Sequence, residues 1–175
     1  MHADLSSYSA SKALPDGQVL HLRAIHPSDR ARLHEEFLKL SKATVRDRFF
    51  SIKLDLTPQE LSYFTEVDFN HHVALVAELE TESGRQPAAV GRIVRKSETP
   101  EQAEIAITVT DSMQGRGIGK IMLEQLTACA RQLGIEHMDA SVLAENTRML
   151  KLLRKSGLDF STEVHNGIQT ISIQL

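Results

Sequence analysis

The chain has 175 residues, 41% of them apolar, and a formal net charge of -3. That suits one domain with a two- or three-layer core, and the slightly acidic balance argues against a general nucleic-acid binder while leaving amine or protein acceptors open. One cysteine, Cys129, excludes an internal disulfide and fits a cytoplasmic protein, and no apolar run approaches membrane-spanning length.

Residues 1–16 are rich in Ser and Ala without an apolar run, which predicts a flexible N-terminal tail rather than a signal peptide. Residues 17–175 are read as a single domain. Val19-Leu20-His21-Leu22-Arg23 alternates as a strand, and Pro27-Ser28-Asp29 opens a helix with Leu33, Phe37 and Leu40 at helical spacing. A second helix is predicted from Thr44 to Phe50. Thr57-Pro58-Gln59-Glu60 has the signature of a capping box with proline at the first turn, so a third, short helix follows it. Strands are then predicted over 72–79, 88–95 and 103–110, joined by turns at Glu82-Ser83-Gly84-Arg85 and near Pro100 to make an antiparallel meander. Ile118, Met122, Leu126, Cys129 and Leu133 trace one face of a helix ended by Gly134, which makes Cys129 a packed thiol rather than a nucleophile. A strand over 138–143, a helix over 146–155 stopped by Gly157, and a hairpin turning at Asn166-Gly167 complete the chain. His71-His72 reads as a strand-edge pair with one ring outside, since neighbouring strand residues face opposite ways.

The most informative segment is Gln114-Gly115-Arg116-Gly117-Ile118-Gly119, set between a β-rich run and an amphipathic helix. Its glycines let backbone N–H groups converge on a phosphate, and the helix adds its positive end. A Walker A loop requires a hydroxyl where Ile121 stands, so that reading fails. A dinucleotide fingerprint counted from Gly115 would want its third glycine at Lys120; Asp139 lies about where a ribose-binding acid would, so this alternative is weakened rather than removed. The opening meander also disfavours it, because βαβ units should alternate throughout.

Gln114, Gly117 and Gly119 resemble the Q/R-x-x-G-x-G/A pyrophosphate loop of the GNAT superfamily of N-acetyltransferases, and the order of predicted elements resembles that fold over nearly the whole chain after the tail. The resemblance implies an α/β (α+β) architecture, a mixed and mostly antiparallel sheet of six to seven strands flanked by helices. It implies acetyl-CoA as cosubstrate, no metal, and an amine acceptor, with neither nucleic acid nor membrane as partner. Backbone groups from Gly115 through Arg116, Gly117, Ile118 and Gly119 to Lys120 would hold the pyrophosphate, Gln114 would shape the turn, and Arg116 and Lys120 would add charge. Backbone groups of Ile107 and Val109 would meet the cofactor, with the Val109 N–H as an oxyanion donor, provided that a bulge or splay near 108–110 frees them. Asn146 matches the asparagine that binds pantetheine in many members, and equally suits a helix N-cap.

Glu104 sits between Ala103 and Ile105 in an apolar strand, and desolvation there would raise its pKa toward the value of a useful general base. Alternation alone fits a solvent-facing residue equally well. The stretch from Ala103 to Val109 and on through the loop is similar to the bacterial protein lysine acetyltransferases, where a glutamate at this place is the base. That implies an enzyme that acetylates protein lysine by direct attack in a ternary complex; a small-amine acetyltransferase and a non-catalytic acyl-CoA sensor are the alternatives. Asp47-Arg48-Phe49-Phe50 and the segment from Tyr63 to Asp68 also resemble that group, at the border of the acceptor cleft, though Arg48 with its two phenylalanines reads rather as a packed helix end with one charged neighbour. Seven residues after Asn146, where many members carry a tyrosine that protonates the thiolate, this chain has Leu153.

Overall fold

A computed structural model of the chain describes residues 4–175. The elements are β1 (Ser9–Ala13), β2 (Val19–Ala24), α1 (Arg30–Lys39), α2 (Lys42–Phe49), α3 (Pro58–Thr65), β3 (His72–Thr81), β4 (Gly84–Arg95), β5 (Gln102–Val109), α4 (Ile118–Gln132), β6 (His137–Leu143), α5 (Thr147–Ser156), β7 (Asp159–His165) and β8 (Ile168–Gln174). Among the described residues the strands form one eight-stranded sheet in the order β1-β2-β3-β4-β5-β6-β8-β7. Its pairs are antiparallel except β5 with β6.

Local chemistry sets the boundaries. At α3 the Thr57 hydroxyl accepts from the Glu60 N–H at 3.1 Å and the Glu60 carboxylate accepts from the Thr57 N–H at 2.8 Å, a complete capping box with Pro58 behind it. Asn166 and Gly167 both take positive φ, 50° and 77°, which gives the β7–β8 hairpin the twist that its strands require.

The expected tail is a correction. Residues 9–13 pair along β2 as an edge strand, with Ser9 opposite Arg23 and Ala13 opposite Val19, while residues 1–3 lie outside the described residues. Its Ser- and Ala-rich sequence hid it because an edge strand needs backbone partners more than apolar side chains. The sheet therefore has eight strands rather than six or seven.

Two layers of helix cover the sheet. On one face α4 buries Ile118, Met122, Leu123, Leu126 and Cys129 in the main core. A Cβ at Gly91 of β4 would lie 2.7 Å from Leu126 Cδ1 and Met122 Cγ, so this glycine is what lets α4 approach so closely. On the other face α1, α2 and α3 enclose a smaller core of Phe37, Val45, Leu56 and Leu61. Phe50, expected to pack beside Phe49, is instead an exposed C-cap at φ 59°.

Candidate active site

The site follows from how β5 is paired. The Thr110 N–H donates to the Ala88 carbonyl at 2.9 Å and the Lys96 N–H to the Gln102 carbonyl at 2.9 Å, which fixes the hydrogen-bonded pairs with β4 at Glu104, Ala106 and Thr108. Ile105, Ile107 and Val109 therefore turn their N–H and C=O groups the other way, toward β6. Yet β6 pairs only with Gln102, Ala103 and Glu104 and then diverges. The backbone groups of Ile107 and Val109 consequently face an open wedge between two strands of the same sheet. The splay expected at 108–110 starts earlier, directly after Glu104.

Gln114 braces the open end of this wedge. Its Nε2 donates to the Val109 carbonyl at 3.1 Å and to Thr44 Oγ1 of α2 at 3.2 Å, and its Oε1 accepts from Arg148 in the first turn of α5. One side chain thus joins β5, α2 and α5, and it occupies the Val109 carbonyl while leaving the Val109 N–H pointing into the wedge. Asp111 strengthens the same junction by accepting from Ser41 Oγ at 2.6 Å and from Thr44 Oγ1 at 2.8 Å. Hydrogen bonds from Ser41 hold the Asp111 carboxyl below the usual carboxylate range against its partial burial.

Beyond Gln114 the backbone turns through Gly115 (φ 77°) and Gly117 (φ 87°) into α4, whose N-cap has no side-chain hydrogen bond. The first turn of α4 offers unpaired N–H groups and the positive end of the helix dipole at the mouth of the wedge. Gly119 tests whether an anion fits there: a Cβ on it would meet only Leu152 at 3.7 Å and Val109 at 3.8 Å, ordinary contacts. Packing does not require this glycine, whereas close approach of a ligand to the backbone would.

Not every expected ligand is free. Arg116 is engaged by the β1–β2 turn, donating to Asp16 Oδ2 at 2.8 Å and to the Gln18 side chain, so its charge is already spent on the fold. Lys120 stays half-exposed, 3.7 Å from Glu124. Asn146 caps α5 by accepting from the Arg148 N–H at 3.2 Å and stands at the far wall of the wedge. Arg46 of α2 pairs with Glu145 at 2.7 Å and joins α2 to that wall.

Glu104 is exposed, which corrects the expected desolvation. Strand alternation turns Ala103 and Ile105 inward to α4 and Glu104 outward. It shares its face with Ala106 and Thr108, which line a cleft, open to solvent, between the sheet and α1–α3. β5 thus divides two spaces, with a backbone wedge beyond its edge and a side-chain cleft on its outer face.

The cleft holds Arg48, which the resemblance put at its border, and Arg92, which the sequence did not flag. Arg92 of β4 is 5% exposed, donates to His72 Nε2 at 2.9 Å and lies 4.6 Å from the Phe64 ring centroid. Arg48 of α2 lies 5.0 Å from the Phe49 ring centroid. Burial, and then the charge of Arg48, lowers the pKa of Arg92, and burial lowers that of Arg48; a delocalised guanidinium is still cationic at neutral pH. Burial and the Arg92 charge pull His72 down to about 4. Of the adjacent histidines His72 is inside, whereas His71 is exposed against Asp68 at 2.9 Å. Nothing in a lone arginine within a strand marks it as buried; only the fold brings Arg92 beneath α3.

A model of the acetyltransferase (GNAT) domain matches residues 20–159. The chain belongs to the GNAT family. The family is one of acetyltransferases, and two curated relatives carry that name. The chain is 34% identical over 142 residues to the acetyltransferase Pat of Mycolicibacterium smegmatis, a match that covers 81% of this chain and 41% of that protein. The chain thus spans less than half the length of that relative. Acetyltransferase PA5475 of Pseudomonas aeruginosa is 27% identical over 160 residues, covering 91% of this chain and 86% of its own length. The solved GNAT domain of S. lividans PAT superposes with a TM-score of 0.85 at 30% identity, covering 95% of this chain and 97% of that domain.

Proposed function

We propose that this GNAT domain acetylates lysine side chains of proteins by direct attack of the amine on acetyl-CoA held in the β5–β6 wedge. The observation that carries this reading is the division made by β5. Unpaired N–H groups at Ile107 and Val109 and at the start of α4 suit a phosphorylated, amide-bearing donor, while the cleft on the outer face opens toward Glu104. The donor supplies an activated thioester carbonyl. The N–H groups from Gly117 to Lys120 bind pyrophosphate, Ile107 and Asn146 hold the pantetheine arm, and the Val109 N–H donates to the oxygen that becomes negative during attack. Glu104 takes the ammonium proton through water, as its exposed position permits. Leu153, on the buried face of α5, has no acid to offer, so the thiolate leaves to solvent.

The names of two relatives, Pat of M. smegmatis and PAT of S. lividans, are consistent with a protein acceptor. A second reading, acetylation of a small amine, is favoured by one observation: the cleft is walled on three sides by α1, α2 and α3, with buried side chains at its floor.

Mass spectrometry of a native cytoplasmic extract and of a small-amine panel, each incubated with acetyl-CoA and enzyme, tests both. New acetyl-lysine sites support the first reading and acetylated small amines the second. Glu104→Gln should retain acetyl-CoA binding and lose about 10²–10⁴-fold in kcat; unchanged turnover removes Glu104 from the mechanism.

A further inference from the structure

The cleft wall carries an unbalanced set of charges. Its carboxylates are Asp29, Glu36 and Glu78. Asp29 holds Arg23 at 2.8 Å, Glu36 holds Lys39 at 2.7 Å, and Glu78 holds both Arg23, at 3.5 Å, and Arg32. Every acid on the wall therefore has a cation of its own. Arg48 and Arg92 have none: among the described residues no carboxylate lies within 4 Å of either. Arg92, nine-tenths buried, directs its Nη1 to two neutral acceptors, His72 Nε2 at 2.9 Å and the Phe64 carbonyl at 3.4 Å. Arg48 rests on an aromatic face. A desolvated guanidinium without a counter-ion is costly, and its planar fork matches a carboxylate.

Resting on the acetyl-transfer reading above, we propose that Arg48 and Arg92 form a carboxylate subsite in the acceptor cleft, so that the favoured acceptor is an amine that also carries a carboxylate. Arg92 stands opposite Ala106, three residues along β5 from Val109, which is about 10 Å at the rise of a strand. The carboxylate and the attacking nitrogen must then be separated by several bonds. An α-amino acid attacking through its α-amine is too short. A long ω-amino acid, or a lysine with an acidic residue beside it in a protein, spans the distance.

The first arm measures binding without turnover. Hexanoate and its neutral counterpart hexanamide are titrated into the wild-type chain, Arg48→Gln and Arg48→Lys at matched ionic strength, with calorimetry as the readout. Hexanoate should bind the wild type at least about tenfold more tightly than hexanamide does, Arg48→Gln should remove that preference and Arg48→Lys should keep part of it. Equal binding of acid and amide, or a preference that survives Arg48→Gln, overturns the subsite.

The second arm compares kcat/KM for ω-amino acids of increasing length, for alkylamines of the same length, and for lysine peptides with glutamate or glutamine beside the lysine. Faster transfer to long ω-amino acids than to alkylamines assigns the carboxylate to a small molecule, and faster transfer to the glutamate peptide assigns it to a protein. Transfer that ignores the carboxylate in every pair overturns the proposal while leaving the acetyl-transfer reading intact. Hexanoate binding without acetylation of any amine leaves an anion site and removes that reading instead.

Discussion

Cys129 is wholly buried on α4, and burial pushes its thiol up to about 11. A thiol that is both inaccessible and protonated is unreactive, so iodoacetamide at neutral pH should leave the native chain unlabelled and modify it fully in denaturant. The expectation of a packed cysteine came from helical spacing alone and agrees with this burial. His72 makes the opposite point, because its setting depends on Arg92, twenty positions away in sequence and adjacent only across the β3–β4 pair. The imidazole titrates near 6.5 when unfolded and near 4 when folded, so between those values the unfolded chain binds the extra proton. The associated stability is complete above about pH 6.5 and is lost as pH falls through 4, with a ceiling of about 3 kcal/mol. Chemical denaturation at a series of pH values should show this loss, and His72→Gln, which keeps an acceptor for Arg92, should shrink it.

At the scale of elements, two glycines, one in β4 and one in the first turn of α4, should respond in opposite ways. Gly91→Ala drives a methyl into Met122 and Leu126, both fully buried, and should cost about 1–3 kcal/mol of stability in a denaturant titration. Gly119→Val meets only ordinary contacts at its Cβ, so stability should change by less than about 1 kcal/mol. Its KM for acetyl-CoA should nevertheless rise at least about tenfold, because the branched side chain fills the approach to the helix N-terminus. A rise in KM without loss of stability separates a ligand-facing glycine from a structural one. Gln114→Ala should move both quantities, at about 1–2 kcal/mol of stability for the hydrogen bonds lost, since that side chain joins three elements.

These examples indicate what was legible beforehand. Helix starts, the Asn-Gly hairpin and the Gly-rich loop are local patterns of spacing, and they stand in the structure within a residue or two. The β1 strand, the capture of Arg116 by Asp16 and the depth of Arg92 were not legible, because each depends on a partner distant in sequence. Glu104 stood between two local readings, burial among apolar neighbours and outward alternation, and the strand pattern is the one that holds.

For the molecule as a whole, the chain is built around an interruption. The sheet runs continuously from β1 to β5 and again from β6 through β8 to β7, and its two halves are joined by three residue pairs at one end of a parallel ladder. Elements from both faces meet at the other end, where Gln114, Asp111 and the Arg46–Glu145 pair tie α2 to β5, α5 and the loop before it. A wedge held at both ends stays open without a ligand, so binding requires little reorganisation of the backbone. This has a signature in time. The amide protons of Ile107 and Val109 lie in mid-sheet, where exchange with solvent deuterium is ordinarily slowest, yet they lack strand partners and should exchange early, well ahead of Thr108 between them. Saturation with a non-reactive acyl-CoA analogue should slow them toward the rate of that neighbour, and unchanged exchange would place the donor elsewhere. Two adjacent odd-numbered amides thereby become a clock for occupancy of the wedge that runs with no acceptor present.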